Sequence, residues 1–281
     1  MIAAHALRDA IARLNAAGIP DAARDARLLL AHVLGIGSDR LTLALHDPVP
    51  AAALRAFDVA LDRRAAREPI SHITGRRLFW GRNFHVTADV LDPRPETEGL
   101  IAACLEAPFR TVLDLGTGSG AIVLSLLADR PQAQGVGLDL SDAALNIART
   151  NAQALGVQAR VVFSHSDWFE GVSGQFDLIV SNPPYIAAAE MADLAPEVRL
   201  HEPEMALTPG GDGLAAYRIL SANAPRFLTD RGRLAVEIGP TQGAEVLRLM
   251  AKSGFEKLEI RQDFDGRDRV VLGVWPGLPE K

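Results

Sequence analysis

From about residue 110 onward, apolar runs of strand length alternate with stretches of helical period. "RTVLDLG" precedes "AIVLSLLADR", "GVGLDL" precedes "DAALNIARTNAQAL", and "ARVVFSHSD" and "FDLIVSN" follow. Such alternation demands a parallel, doubly wound α/β sheet with helices on both faces, because only helical crossovers join parallel strands and cover both sides of them. A helix is expected at about 213–228, then the strand "GRLAVEIG", a helix from about 241, and the strands "KLEIRQD" and "RVVLGVW". Only "FDGRD" separates the last two, too short for a crossover, so they should pair antiparallel at the end of a mostly parallel seven-stranded sheet.

The part before this alternation has another character. Over residues 1–75, Leu7, Ile11 and Leu14 recur at helical spacing, as do Leu28 to Leu34 and then Leu54, Phe57 and Leu61. Pro20, the "GIG" at 35–37, Pro48 and Pro50 punctuate these helices. In "RRLFWGRNFHVTADVLD" (76–92) the period shortens to two around "GRN", which predicts a β-hairpin. "DPRPETE" (92–98) is too rich in proline for a strand interior and starts a helix near Glu96. The expected organisation is a helical domain over 1–75, a hairpin linker over 76–95 and an α/β domain over 96–281.

Composition narrows the class. Hydrophobic residues make up 48% and charged residues 23%, enough for a buried core. The longest apolar runs fall short of the roughly 20 residues that cross a bilayer. "MIAAHALRDAIARL" puts an Arg and an Asp where a signal peptide needs its apolar core, so a cytoplasmic protein is expected. The single cysteine, Cys104, excludes an internal disulfide and reads as a buried small hydrophobe. The seven histidines show no ligand-like spacing, and no metal is expected. Net charge is −6, with nine Arg against eight acids in residues 1–75, which argues against a general binder of phosphate backbones. The basic clusters "RRAAR" (63–67) and "RDR" (267–269) are expected to face solvent.

Ligands of open parallel sheets collect at the carboxyl ends of the strands, and four strand ends here carry chemistry. "DLGTGSGAI" presents Gly116, Thr117, Gly118, Ser119 and Gly120 at a strand-to-helix turn, where backbone can approach a ligand closely. Its spacing is G-x-G-x-G, which tilts away from a dinucleotide site. Asp139 ends the next strand, placed to accept from a ribose diol. Asp167 and Trp168 close the third, suited to an adenine through its exocyclic amine and its ring face. A nucleoside without a phosphate cradle fits S-adenosyl-L-methionine better than a dinucleotide.

The fourth strand ends in "SNPPYI" (181–186). A carboxamide or exocyclic ring amine is a poor nucleophile, because its nitrogen lone pair is delocalised. Two acceptors, the Asn182 side-chain oxygen and the Pro183 carbonyl, can each take one N–H and orient the nitrogen as positive charge develops on it. Pro184 restricts Pro183 to extended backbone and so aims that carbonyl. Tyr185 can lie over the planar target. A carboxylate would leave both acceptors unpaired, so the pocket admits glutamine and rejects glutamate.

With these motifs the sequence resembles the HemK/PrmC family, the protein-(glutamine-N5) methyltransferases acting on the Gly-Gly-Gln loop of class-1 peptide chain release factors. The resemblance runs through "EPISHITGRRLFWGRNFHV", "VLDPRPETE", "DLGTGSGAI", "SNPPYI", "EVRLHEPEMAL" and "GGDGLAAYR", hence over most of the chain. It implies a Rossmann-like methyltransferase sheet, S-adenosyl-L-methionine as cofactor and release factors as partners in translation termination. By motif it assigns cofactor contacts to the 116–120 loop, Asp139, Trp168 and Asn182, and the target glutamine to Asn182, Pro183, Pro184 and Tyr185. Phe79, Arg94 and Thr97 would help wall the cofactor pocket. One departure is Asp92, where the family usually has an apolar residue. "NPPY" alone is shared with adenine-N6 nucleic-acid methyltransferases, and a ribosomal-protein glutamine methyltransferase would share the same catalytic motif. A non-enzymatic adaptor is the reading from a different class, and intact Asn182 and Tyr185 count against it.

Overall fold

The computed structural model describes residues 1–277. Contacts divide them into two units, Met1–Arg76 with Leu194–His201, and Arg77–Asp193 with Glu202 onward.

In the first unit, helices α1 (Ala3–Ala16), α2 (Ala22–Val33), α3 (Ala51–Ala65) and α4 (Ile70–Thr74) turn their periodic apolar faces inward. Leu14, Leu29, Leu30, Phe57 and Leu61 meet there, and the many alanines let the helices approach closely. The "RRAAR" cluster does not simply face solvent. Arg64 is buried, its Nε donating to Asp25 Oδ2 at 2.7 Å. A buried guanidinium must satisfy its other N–H groups, and Arg64 does so on the Glu68 carbonyl at 3.2 Å and Glu197 Oε1 at 3.3 Å. Arg67 also reaches Glu197 Oε1, at 3.3 Å. These contacts explain why the segment 194–201, expected within a continuous 96–281 domain, belongs with the helices.

The second unit opens with the hairpin β1 (Arg76–Phe79) and β2 (Arg82–His85). Its turn is Trp80–Gly81, with φ of 49° and 69°, rather than the expected "GRN". Two positive φ values in a two-residue loop match the twist of the flanking strands. The strain at Trp80 is offset by its backbone N–H on Glu98 Oε1 at 2.7 Å and its Nε1 on Asp129 Oδ2 at 2.6 Å. Phe79 and Phe84 pack edge-to-face inside the core of this unit. The hairpin is thus part of the α/β unit's core, where a separate linker over 76–95 was expected.

Then follow α5 (Glu98–Leu105), β3 (Thr111–Leu115), α6 (Ala121–Asp129), β4 (Gln134–Asp139), α7 (Asp142–Ala154), β5 (Val161–His165) and β6 (Phe176–Ser181). After α8 (Pro196–His201) and α9 (Glu204–Leu207) come α10 (Ala215–Asn223), β7 (Leu228–Glu237), α11 (Gly243–Lys252), β8 (Glu256–Gln262) and β9 (Asp268–Val274). The seven-stranded sheet has the order β5-β4-β3-β6-β7-β9-β8, parallel from β5 through β7 and antiparallel at β7–β9 and β9–β8. This is the expected α/β, doubly wound, mostly parallel sheet.

Strand β9 lies inside and β8 forms the edge. "RVVLGV" is apolar on both faces and suits an interior strand, whereas "EKLEIRQ" alternates with charge and protects an edge. Burial of β9 also draws in Arg269 of the "RDR" cluster, which pairs with Asp263 at 3.3 Å instead of facing solvent. Strand order reverses between β3 and β6, and the crevice at such a reversal is where this architecture places ligands. Among the described residues, no helix is long and apolar enough to cross a membrane.

Candidate functional site

The loop after β3 is held from beneath by the buried Asp114. Thr117 Oγ1 donates to Asp114 Oδ2 at 2.7 Å, and the Val123 N–H reaches the same oxygen at 3.3 Å. The Gly116 and Thr117 N–H groups both donate to the Leu138 carbonyl at 2.9 Å, folding the loop over the end of β4. Burial pushes the Asp114 carboxyl up to about 7; the two hydrogen bonds oppose that shift and the nearby Asp139 charge adds to it.

Glycine is required in this loop for two different reasons. Gly118 has a φ of 54° and nothing within 4 Å of where a Cβ would stand, so its missing side chain leaves room for a ligand. Gly120, with a φ of 78°, would bring a Cβ within 2.8 Å of Leu124 and 3.2 Å of Ala148. Gly116 resembles Gly118 in facing open space.

Asp139 stands beside this opening. Its Oδ2 accepts from the Gly118 N–H at 2.8 Å and its Oδ1 from the Ser141 N–H at 2.9 Å, which leaves a lone pair on each oxygen for hydroxyl donors. Burial raises its pKa, while the N–H bonds from Ser141 and Gly118 pull against that rise. Trp168 is held at a φ of 50°, unusual for a large side chain, with the Ser166 hydroxyl donating to its carbonyl at 3.0 Å.

These residues open onto a cavity of about 1080 Å³, counting the space at its mouth. Of the expected residues, Gly116, Thr117, Gly118, Ser119, Asp139, Asp167, Trp168, Asn182 and Pro184 line it. So do Phe79, Arg94 and Thr97. Gly120, Pro183 and Tyr185 do not. Gly120 faces the α6–α7 packing, and Tyr185 lies half-buried against the core cluster that holds Tyr217 and Ile238, its hydroxyl pushed up to about 12 by burial. Gln242 Nε2 donates to the Tyr185 carbonyl at 2.9 Å and fixes this turn.

Asn182 follows β6 directly. Its Nδ2 donates to Thr97 Oγ1 at 3.3 Å, while its Oδ1 is buried without a partner. An unpartnered buried carbonyl costs roughly 1–3 kcal/mol, so a wall carrying one is built to meet a donor. Open space at two glycines, a carboxylate with spare lone pairs, an indole and an unpartnered amide oxygen fit a nucleoside-bearing ligand.

Asn151 and Glu202 escaped sequence reasoning, as did the partners of Arg94 and Asp92. Asn151 on α7 ties the glycine loop to β2 by donating to the carbonyls of Ser119 and His85. Arg94 clamps Glu202 with Nη2 at 2.6 and 2.7 Å from its two oxygens. Burial pushes Glu202 up to about 7, against the pull of Arg94. Asp92 is buried where the resembled family usually has an apolar residue, and Arg77 pairs with one of its oxygens: Nη1 lies 3.3 Å from Asp92 Oδ2 and Nε donates to the Pro93 carbonyl at 2.8 Å, while Oδ1 has no partner.

Known proteins resemble this chain in sequence and in fold. The family model described as the PrmC N-terminal domain matches residues 5–75, and that of the methyltransferase small domain matches residues 96–218. A release factor glutamine methyltransferase of Cereibacter sphaeroides is 59% identical over 276 residues, covering 98% of this chain and 99% of its own. One from Rhodospirillum rubrum is 46% identical over 92% of this chain and 81% of its own. A crystal structure of a methyltransferase from Pyrococcus furiosus shares the fold, with a TM-score of 0.53 at 17% identity, over 69% of this chain and 89% of the other. The chain belongs to the release factor glutamine methyltransferase family.

Proposed function

We propose that this protein transfers a methyl group from S-adenosyl-L-methionine to the side-chain nitrogen, N5, of the glutamine in the Gly-Gly-Gln loop of class-1 peptide chain release factors. The observation that carries this reading is the Asn182 carboxamide, anchored through its nitrogen on Thr97 and presenting a buried, unpartnered oxygen at the cavity.

The bound cofactor supplies an electrophilic methyl group on a sulfonium. Gly116 and Gly118 would leave room for its amino-acid end, Asp139 would accept from the ribose hydroxyls, and Asp167 and Trp168 would hold the adenine by its amine and its face. Asn182 Oδ1 accepts one N–H of the substrate amide and the Pro183 carbonyl accepts the other, turning the nitrogen toward the methyl. The cofactor would give up its methyl carbon and keep the bonding pair as a neutral thioether, while Asn182 Oδ1 and the Pro183 carbonyl hold the amide nitrogen, whose surplus proton would pass to water. Dipoles fixed before the reaction need no reorganisation as charge develops, which is their catalytic value. Tyr185, packed behind the motif, sets the backbone that aims the Pro183 carbonyl. The helical unit supplies the docking surface for the release factor, and the reaction belongs in the cytoplasm.

The test is a transfer assay with labelled cofactor, an intact release factor, the same factor with its loop glutamine replaced, and duplex and single-stranded nucleic acid as further acceptors. Label should enter only the intact factor, at the glutamine located by mass spectrometry. Methylation of the substituted factor or of the nucleic acid overturns the reading.

A further inference from the structure

Glu237 is buried at 1% exposure and takes no part in the chemistry described above. It ends β7 beside the end of β6: Ser181 is in register with Val236, so Asn182 and Glu237 emerge next to each other at the carboxyl edge of the sheet. Its Oε2 is buried without a partner, and the Thr97 and Asn182 side chains lie against the carboxylate, where each favours its charged form.

A carboxylate can only accept, so the Thr97 hydroxyl facing it must donate. The Thr97 oxygen is then left as an acceptor, and Asn182 Nδ2 donates to it. Both inward partners of the Asn182 amide are therefore acceptors, which allows its NH2 group inward and only its oxygen outward. Reversing the amide would set an oxygen against a carboxylate and present two donors to a substrate NH2 that has only donors to offer.

We propose that Glu237 is a positioning residue that sets the orientation of the Asn182 amide, through a chain from Asn182 to Thr97 to Glu237, so that Oδ1 faces the substrate nitrogen. The inference rests on the role of Asn182 proposed above. Glu237 touches neither substrate nor cofactor, and Tyr217 Oη holds its backbone by donating to its carbonyl at 2.8 Å.

The chain has a titratable end. Burial pushes Glu237 up to about 7; the Thr97 hydroxyl, the Arg269 charge on β9 and the Asn182 amide lower it, and Glu96 raises it. The Tyr185 and Tyr217 hydroxyls also lie near it, and burial keeps both protonated in this range. Once Glu237 carries a proton its O–H can donate, the Thr97 hydroxyl can reverse, and the constraint on the Asn182 amide is lost. Turnover should therefore fall as pH drops through about 7.

The experiment compares the full-length wild type with Glu237→Gln. A neutral amide can donate as well as accept, so kcat should fall about tenfold or more, while KM for the release factor and cofactor affinity stay within about twofold. The acid limb of the wild-type kcat profile should be absent from the variant. Independently of turnover, the Asn182 side-chain amide resonances should shift with pH through about 7 in the wild type and stay still in Glu237→Gln. A wild type that transfers methyl and a folded variant that matches its kcat and pH profile overturn the proposal and leave the function intact. A wild type without transfer refutes the function, and the amide titration alone then judges Glu237. Should Glu237→Gln fail to fold, a wild-type Asn182 resonance that does not move through this range overturns the proposal.

Discussion

The Asn151 carboxamide pairs with the backbone of His85 in both directions, accepting from its N–H at 2.7 Å and donating to its carbonyl at 3.0 Å. Its second N–H serves the Ser119 carbonyl at 2.9 Å. One side chain on α7 thus ties the hairpin to the glycine loop. Asn151→Ala should remove this side chain's bonds to the buried Ser119 carbonyl and to the part-buried His85 N–H and carbonyl, and cost about 1–3 kcal/mol of stability. Urea unfolding measures that loss, and cofactor affinity should fall with it as the loop loosens. An unchanged midpoint would show that other groups satisfy those three.

The glycine loop separates ligand room from helix packing. Gly118→Ala should project a methyl into the cavity and weaken cofactor binding about tenfold or more, with a strain cost near 1–2 kcal/mol. Gly120→Ala should instead drive a Cβ into Leu124 and Ala148 and cost about 2 kcal/mol or more of stability. Calorimetric titration and thermal unfolding of the pair should show opposite rankings. Equal loss of affinity in the two variants would contradict the assignment.

Asp114 gives a pH signature with a defined sign. Burial raises its native pKa from 3.8 to about 7, so the native state binds the proton more tightly than the unfolded chain. Its contribution to stability therefore declines as pH rises from 3.8 toward about 7 and is level above that. Asp114→Asn lacks this slope. The stability of the wild type relative to this variant should drop by about 1–3 kcal/mol across that window, seen in denaturant titrations at a series of pH values. A flat difference would mean that the buried carboxyl stays charged throughout.

The pairing of Asp92 with Arg77 predicts strong coupling. Arg77→Leu alone should cost about 3 kcal/mol, because it strands a buried carboxylate, whereas Arg77→Leu with Asp92→Leu should recover most of that loss. A double-mutant cycle measures the coupling, and purely additive losses would refute it.

Much of the fold is legible in local sequence. Alternating runs specify a parallel sheet, and the shortness of "FDGRD" specifies the terminal hairpin, because both follow from what a short connection can reach. The polar alternation of "EKLEIRQ" against the apolar "RVVLGV" also carries the signal for which of them becomes the edge, although loop length alone is silent on that choice.

The cavity is legible in the same way, since parallel strands deliver their carboxyl ends to one edge, and Gly116, Gly118, Asp139, Trp168 and Asn182 all sit at such ends. What the tertiary structure alone decided is how each polar group there is satisfied. Thr97 meets Asn182 across 85 residues, Asn151 meets His85 across 66, and Arg64 meets Asp25 across 39. No local period encodes such pairs, because burial creates the need for a partner and only the folded chain brings that partner within hydrogen-bonding distance.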